Sequence, residues 1–389
     1  MRLATLELEG FRNFERARLE FDAGFTVLWG HNGAGKTNIV EAIYLLATLR
    51  SFRTHDLGSL VARDAVRGQV VLTGRDERLD IPSRLAVQLE RGSNSTRRLA
   101  RADDKLVRSA ADFYGRLQAV LFTPEDLAVL RASPQQRRQF LDRMLFARQR
   151  AHITDVQDYE RVVRSRNTVL RDDSMPRTQQ HDLLLTYEQQ IAEVGARIWS
   201  RRERQLSALI PGTERGFAEI YGSEGPAPQG TSRQLVLTLR YAAAAGEMPE
   251  SERTQGLLDR LAQRREQDRL RRTTSVGPHR DDVVVELEGR PVAEFASQGQ
   301  TRAIVLALKL AELELARDEG GSAPLLLLDD VSSELDPARS ALLFERLGTL
   351  VGQCVLTTTA TAFVHLPEAA RGRFVQVDRG ALVVAETST

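Results

Sequence analysis

The octapeptide "GHNGAGKT", Gly30 to Thr37, narrows the folds open to this chain more than any other stretch. It matches G-x-x-x-x-G-K-[ST] in full, with the apolar run "FTVLW" before it and a helix pattern, "NIVEAIYLLATL", after it. A strand, a glycine loop and a helix in that order belong at the C-terminal edge of a parallel sheet. Gly33 and Gly35 let the backbone curl so that successive N–H groups face an anion, and the helix from Thr37 adds its positive end. Lys36 is placed for the β- and γ-phosphates of ATP, and the Thr37 hydroxyl for Mg²⁺. The candidate nucleotide contacts are Gly30, His31, Asn32, Gly33, Ala34, Gly35, Lys36 and Thr37.

A second element fits the first. "APLLLLDD" is a short, wholly apolar run closed by two acids, which suits a strand buried on both faces of a parallel sheet. Asp329 is a candidate Mg²⁺ ligand, and Asp330 the candidate catalytic carboxylate that polarises the attacking water. Alone, the pair reads equally well as an acidic turn. A phosphate loop in the same chain favours the metal reading. "SSELDP", 332 to 337, extends the acidic cluster.

The chain has 389 residues, enough for two lobes. No run approaches the roughly 18 apolar residues of a membrane span, and "MRLATLELEG" alternates like a strand instead of presenting the apolar core of a signal peptide. With one cysteine, Cys354, no intrachain disulfide is possible, in keeping with a reducing cytoplasm. The net charge of +1 does not argue for nucleic acid, but its distribution is uneven. Residues 131–210 hold 15 Arg against 10 acids, and 313–389 hold 6 Arg against 11 acids. Arginine clusters in "SPQQRRQFLDRMLFARQR", "RVVRSRN", "IWSRRERQ" and "LDRLAQRREQDRLRR" can neutralise DNA phosphates. Solvated helix faces are the plainer reading.

Along the chain, "LATLELEGF", "RARLEFDAGFTVLWG", "QVVLTG" and "SRLAVQLE" read as strands. From "DFYGRL" to "SALIP" the pattern is mostly helical, and 222–232 is a loop by its Gly, Pro and Ser content. "LVLTLRY" and "DDVVVELEGRPVAEF" read as strands, 300–317 as a helix, and "QCVLTTT" and "FVQVDRGALVVAE" as closing strands. No heptad pattern lasts long enough for an extended coiled coil. No histidine has metal-ligand spacing with the cysteine, so no zinc site is expected.

"ASQGQTRAIVLALKLAE", 296–312, puts Ser297, Gly299 and Gln300 at the start of a long apolar helix upstream of the acidic strand. Ser297 suits a helix cap. The stretch resembles the signature motif of ABC-type ATPases. In that family this helix start caps the γ-phosphate bound by a second molecule, which implies an ATP-dependent homodimer with two composite sites. "SELD" resembles the D-loop, with Asp336 at the same nucleotide. "LATLELEGFRNFERARLEF" resembles the opening of SMC-type and RecF-type heads and makes Arg12 and Asn13 candidate nucleotide neighbours. Gln118, in "GRLQAVLF", is the candidate Q-loop metal ligand, a structural glutamine being the alternative. "EAIYLLATLRSFRTHD", "LFTPEDLAVLRASPQQRRQFLD", "YERVVRSRNTVL" and "SVGPHRDD" are similar to the RecF family of bacterial DNA repair proteins, from Met1 to about residue 380. "GPHRDD" reads either as a contact for nucleotide, DNA or partner or as a structural turn.

The resemblance implies an α/β fold, a two-lobed ABC-type ATPase head. An ATPase lobe would comprise 1–120 with 313–389, and a mainly helical lobe, 121–312, would be inserted and carry the signature. It further implies ATP and Mg²⁺, slow hydrolysis, and binding to double-stranded DNA and duplex/single-strand junctions at gaps and stalled forks. The implied partners are RecR with RecO, and indirectly RecA, in recombinational repair and SOS induction. Asp330 where transporters usually carry Glu, and "TTTAT" around Thr358 where they carry a switch His, fit slow turnover. The alternatives are a transporter's nucleotide-binding subunit, an SMC-like head, and a scaffold that holds ATP without hydrolysing it.

Overall fold

The computed structural model describes residues 1–389 except 77–79, 93–94, 109, 147–148, 223–234, 321–322, 331–336, 365, 367–371 and 385–389. The chain divides into two compact units, Met1–Leu127 with Leu306–Thr389, and Ala128–Val305. The divisions fall at 127/128 and 305/306, where the sequence suggested 120/121 and 312/313.

The first segment holds strands β1 (Arg2–Phe11), β2 (Phe14–Glu20) and β3 (Gly24–Trp29), then helix α1 (Lys36–Thr48). Strands β4 (Arg67–Arg75), β5 (Pro82–Arg91), β6 (Thr96–Ala102) and β7 (Lys105–Leu106) follow, then α2 (Ala110–Phe113), β8 (Ala119–Phe122) and α3 (Pro124–Leu127). The middle segment holds α4 (Pro134–Phe146), α5 (Arg150–Arg171), α6 (Arg177–Gly222), β9 (Leu237–Ala242), α7 (Arg253–Arg271), β10 (Asp282–Leu287), β11 (Arg290–Pro291) and α8 (Val292–Phe295). Helix α9 (Gln298–Gly320) is followed in chain order by β12 (Leu325–Asp329), α10 (Pro337–Leu350), β13 (Gln353–Thr358), β14 (Gly372–Asp378) and β15 (Ala381–Val384).

The first unit contains two six-stranded sheets, ordered β2-β1-β4-β5-β6-β7 and β15-β14-β3-β13-β12-β8. In the first, all described pairings are antiparallel, and alternation puts one apolar face inward. Leu19, Leu6, Leu72, Leu85 and Ala102 face one another in register across five strands, all buried. In the second sheet, β8, β12, β13, β3 and β14 are parallel, and β15 closes an edge antiparallel. Strands β12 and β13 are buried at every position, and the four leucines of β12 are the apolar run that a strand covered on both faces requires. Gln353 ties the sheets together. Its amide accepts from the Leu3 N–H at 2.6 Å and donates to the carbonyls of Leu3 and Asp22 at 3.0 and 2.9 Å.

Two expectations need correction. Residues 119–122 lie inside the stretch expected to be helical, yet they form β8, all four buried. Four apolar residues carry no period, and only pairing with β12 makes them a strand. The end of "DDVVVELEGRPVAEF" turns at Glu288–Gly289 and becomes α8. Most of the loop expected at 222–232 lies outside the described residues.

The second unit packs α4, α5, α6 and α7 with the small sheet β11-β10-β9. Helix α6 is 46 residues long, with Pro211 inside it. Many arginines of the clusters face inward. Arg166 is fully buried and pairs with Glu188 at 2.9 Å and Asp268 at 2.8 Å. Arg202 grips Asp142 at 2.8 and 2.7 Å, Arg137 grips Asp282 at 2.8 and 2.6 Å, and Arg265 binds Glu188 at 2.6 Å.

"GPHRDD" is a turn held by hydrogen bonds within this unit. Asp281 accepts from the Tyr241 hydroxyl at 2.6 Å and the Ala244 N–H at 2.7 Å. His279 Nε2 faces the Thr274 carbonyl at 3.0 Å and must donate, which in a neutral ring leaves Nδ1 to accept from the Tyr159 hydroxyl at 2.7 Å. Burial pushes the imidazole pKa down to about 4, with Arg280 and Arg138 adding to the effect, which keeps the ring neutral at pH 7 and fits this arrangement. Between pH 6.5 and 4 the unfolded chain takes up a proton that folded His279 refuses, so stability falls as pH falls. At pH 5 the loss is about 2 kcal/mol. His279→Gln is expected to flatten this part of the profile, checked by thermal unfolding of both proteins at pH 7.5 and 5.

Candidate nucleotide-binding site

The glycine loop joins β3 to α1 at the C-terminal edge of the parallel sheet. His31, Asn32 and Gly33 are exposed on its crown, whereas Ala34, Gly35 and Lys36 are buried. Gly33 has φ +79°, and a Cβ there would meet nothing within 4 Å, so this turn faces open space. Gly35 has φ +118°, and a Cβ would stand 2.7 Å from the Asn13 amide. No side chain fits at that position without displacing its neighbour.

Lys36 Nζ donates to the carbonyls of Gly30 and His31 at 2.7 and 3.0 Å. Burial lowers its pKa, while the charges of Asp330 and Asp329 raise it. Those two carboxylates therefore lie within electrostatic reach of the lysine. Thr37 Oγ1 donates to Asp329 Oδ1 at 2.9 Å, and Thr357 Oγ1 donates to the same oxygen at 2.8 Å. Thr357 in turn accepts the Asp330 N–H at 2.9 Å, and Asp330 sits at φ +50°. Burial pushes the Asp329 carboxyl up, the two threonine hydroxyls pull it down, and Asp330 and Glu125 push it up again.

These residues could hold Mg²⁺. The ion takes oxygen ligands at about 2.1 Å in an octahedron, so neighbouring ligands lie about 3.0 Å apart. The 2.9 Å between Thr37 Oγ1 and Asp329 Oδ1 matches such a pair. Two protein oxygens are enough where phosphates and waters fill the remaining positions.

Asn13 braces the loop. Its Nδ2 donates to the Ala34 carbonyl at 2.8 Å, and its Oδ1 accepts from Asn38 at 2.7 Å. Arg12 sits at φ +55° and grips buried Glu41 with two bonds of 2.8 Å. It thus anchors the turn to α1. Arg53, which was not anticipated, joins the group by donating to Asn38 Oδ1 at 2.8 Å.

Gln118 is a correction. It stands at the start of β8, and its carbonyl accepts from Leu325 N at the opposite end of β12 from Asp329. Five residues of strand, about 16 Å, separate it from the level of Asp329. It is no metal ligand here. The strand end level with Asp329 leads instead to Thr123, Pro124 and Glu125. Asp336 lies outside the described residues.

Ser297, Gly299 and Gln300 belong to the second unit. Ser297 Oγ accepts the Gln300 N–H at 3.1 Å, and Gln300 Oε1 accepts the Ser297 N–H at 2.8 Å. This reciprocal box starts α9 and leaves Ser297 exposed. Gln300 Nε2 also donates to the Tyr221 hydroxyl at 3.3 Å.

Residues 2–379 match the family model described as the RecF/RecN/SMC N terminal domain. The DNA replication and repair protein RecF of Anaeromyxobacter sp. (strain Fw109-5) is 39% identical over 98% of this chain and 98% of its own. The chain belongs to the RecF family. The RecF of Geobacter metallireducens is 36% identical over 98% of this chain and 99% of its own. A solved structure of the recombination mediator protein RecF-ATP in the RecFOR pathway superposes with TM-score 0.83, at 28% identity, covering 99% of this chain and 97% of that one. The Smc head bound to the C-winged helix domain of ScpA superposes with TM-score 0.53 at 15% identity, a likeness of fold alone. The mixed α/β architecture is therefore that of RecF and SMC heads. Among the described residues no helix is long and apolar enough to cross a membrane.

Proposed function

We propose that this RecF-family chain is an ATP-operated clamp on double-stranded DNA. The observation that carries the proposal is the Thr37–Asp329–Thr357–Asp330 chain of hydrogen bonds beside Lys36. ATP would lie on the crown of the loop, with Lys36 leaving its two carbonyls for the β- and γ-phosphates. Mg²⁺, held by Thr37 and Asp329, would neutralise phosphate charge. Asp330, fixed at its N–H by Thr357, would orient the attacking water. An aspartate reaches less far than a glutamate, which supports slow turnover.

The exposed, boxed start of α9 at Ser297 would meet ATP held by a second copy, so that ATP joins two molecules and hydrolysis parts them. On this reading the dimer engages duplex DNA and duplex/single-strand junctions at gaps and stalled forks in the cytoplasm. There it works with RecR and RecO to help RecA load, in recombinational repair and SOS induction. The family membership and the RecFOR setting of the ATP-bound relative support this. Arginines left on the surface, such as Arg161 and Arg164, suit phosphate contacts.

Ser297→Arg is expected to leave ATP affinity within about twofold of wild type and to abolish ATP-dependent dimerisation, because a bulky cation would stand where the partner's nucleotide belongs. Fluorescent-nucleotide binding and sedimentation velocity with ATP check the two halves. A variant that still dimerised with ATP would remove the composite site.

A further inference from the structure

We infer that Phe295 is the apolar anchor by which one copy of the chain grips a second in the ATP-bound dimer. The inference rests on the composite-site reading above and goes beyond it by naming the contact that supplies affinity. Among the Phe, Tyr and Trp residues whose side chains are described, Phe295 alone is exposed, with 61% of its surface open to solvent. The others are buried or half-buried. A large exposed aromatic is the residue type that dominates protein interfaces.

Its presentation is fixed. Val292, the first residue of α8, and Ala296, which follows it, are buried, at 1% and 8% exposure. The Ala296 carbonyl is held by the Arg131 guanidinium. The Arg290 guanidinium lies over the ring, 5.8 Å from its centre. A ring held this way loses little freedom on binding. Phe295 also stands two residues before Ser297, so their Cα atoms are at most about 7 Å apart. The ring thus stands beside the Ser297 helix start, within the footprint of a protein surface that covers it. If ATP held by a second copy meets Ser297, that copy is the occupant, and two-fold symmetry buries one Phe295 from each molecule.

Phe295→Ala is expected to weaken ATP-dependent dimerisation on the order of 100-fold, about tenfold for each of the two rings. Phe295→Leu should recover part of the loss. Nucleotide affinity and melting temperature should match wild type in both. Sedimentation with ATP, beside wild type and Ser297→Arg, reads the result. If Phe295→Ala dimerised like wild type while Ser297→Arg did not, the composite site would stand and the anchor would fall. If wild type itself stayed monomeric with ATP, both would fall. A drop in duplex affinity caused by Phe295→Ala in the monomeric Ser297→Arg background would assign the ring to DNA and overturn the anchor.

Discussion

Arg166→Ala is expected to lower stability by about 3–5 kcal/mol, because it leaves carboxylates buried without their cation. Glu188 and Asp268 are fully buried, like Arg166 itself. Glu188 keeps Arg265, at 2.6 Å. Asp268 keeps Ser275, through its N–H at 3.1 Å and its hydroxyl at 2.5 Å, but no longer has a cation facing Oδ2. The guanidinium also donates to Thr274 at 2.9 Å, which follows α7 and precedes the His279 turn. The lost pair should therefore loosen α5, α6 and α7 together. For a unit of this size the melting temperature should fall by roughly 10 °C. Arg161→Ala, on the same helix but with a side chain 70% exposed, should change it little. Calorimetry on both variants decides. Equal, small shifts would mean that the buried cluster contributes no more than a surface pair.

Lys36→Met should reduce ATP affinity by about 100-fold or more, since the phosphates lose their cation. The methionine also leaves the Gly30 and His31 carbonyls without the bonds of 2.7 and 3.0 Å that now hold them. On the proposed clamp, dimerisation and DNA binding should disappear with nucleotide binding. Titration with a fluorescent ATP analogue measures the first loss. A variant that bound ATP normally would take Lys36 out of the site.

How much was legible in the sequence follows from how local each feature is. The phosphate loop, the Leu325–Asp329 strand and the Ser297 cap are each carried by fewer than about ten adjacent residues, so spacing and residue type suffice. Gln118 misled because its place depends on β8, whose four residues show no period and whose partner β12 comes some two hundred residues later. Thr357 went unnoticed for the same reason. Its role exists only because β13 pairs in register with β12, setting it opposite Asp329. The arginine clusters were legible as helical but not as inward or outward. In "RVVRSRN", Arg166 is buried and Arg161 exposed, a difference set by which face meets α6 and α7.

The central claim, that ATP closes this chain on duplex DNA, is tested most directly by fluorescence anisotropy of a labelled duplex. The measurement is made at one fixed salt concentration, with ATP, with ADP and without nucleotide, for wild type and Lys36→Met. Salt is held constant because phosphate contacts make affinity steeply dependent on it. Tight binding by wild type with ATP alone, and weak binding by Lys36→Met throughout, is the predicted result. Equal binding in all three nucleotide conditions would contradict an ATP-operated clamp.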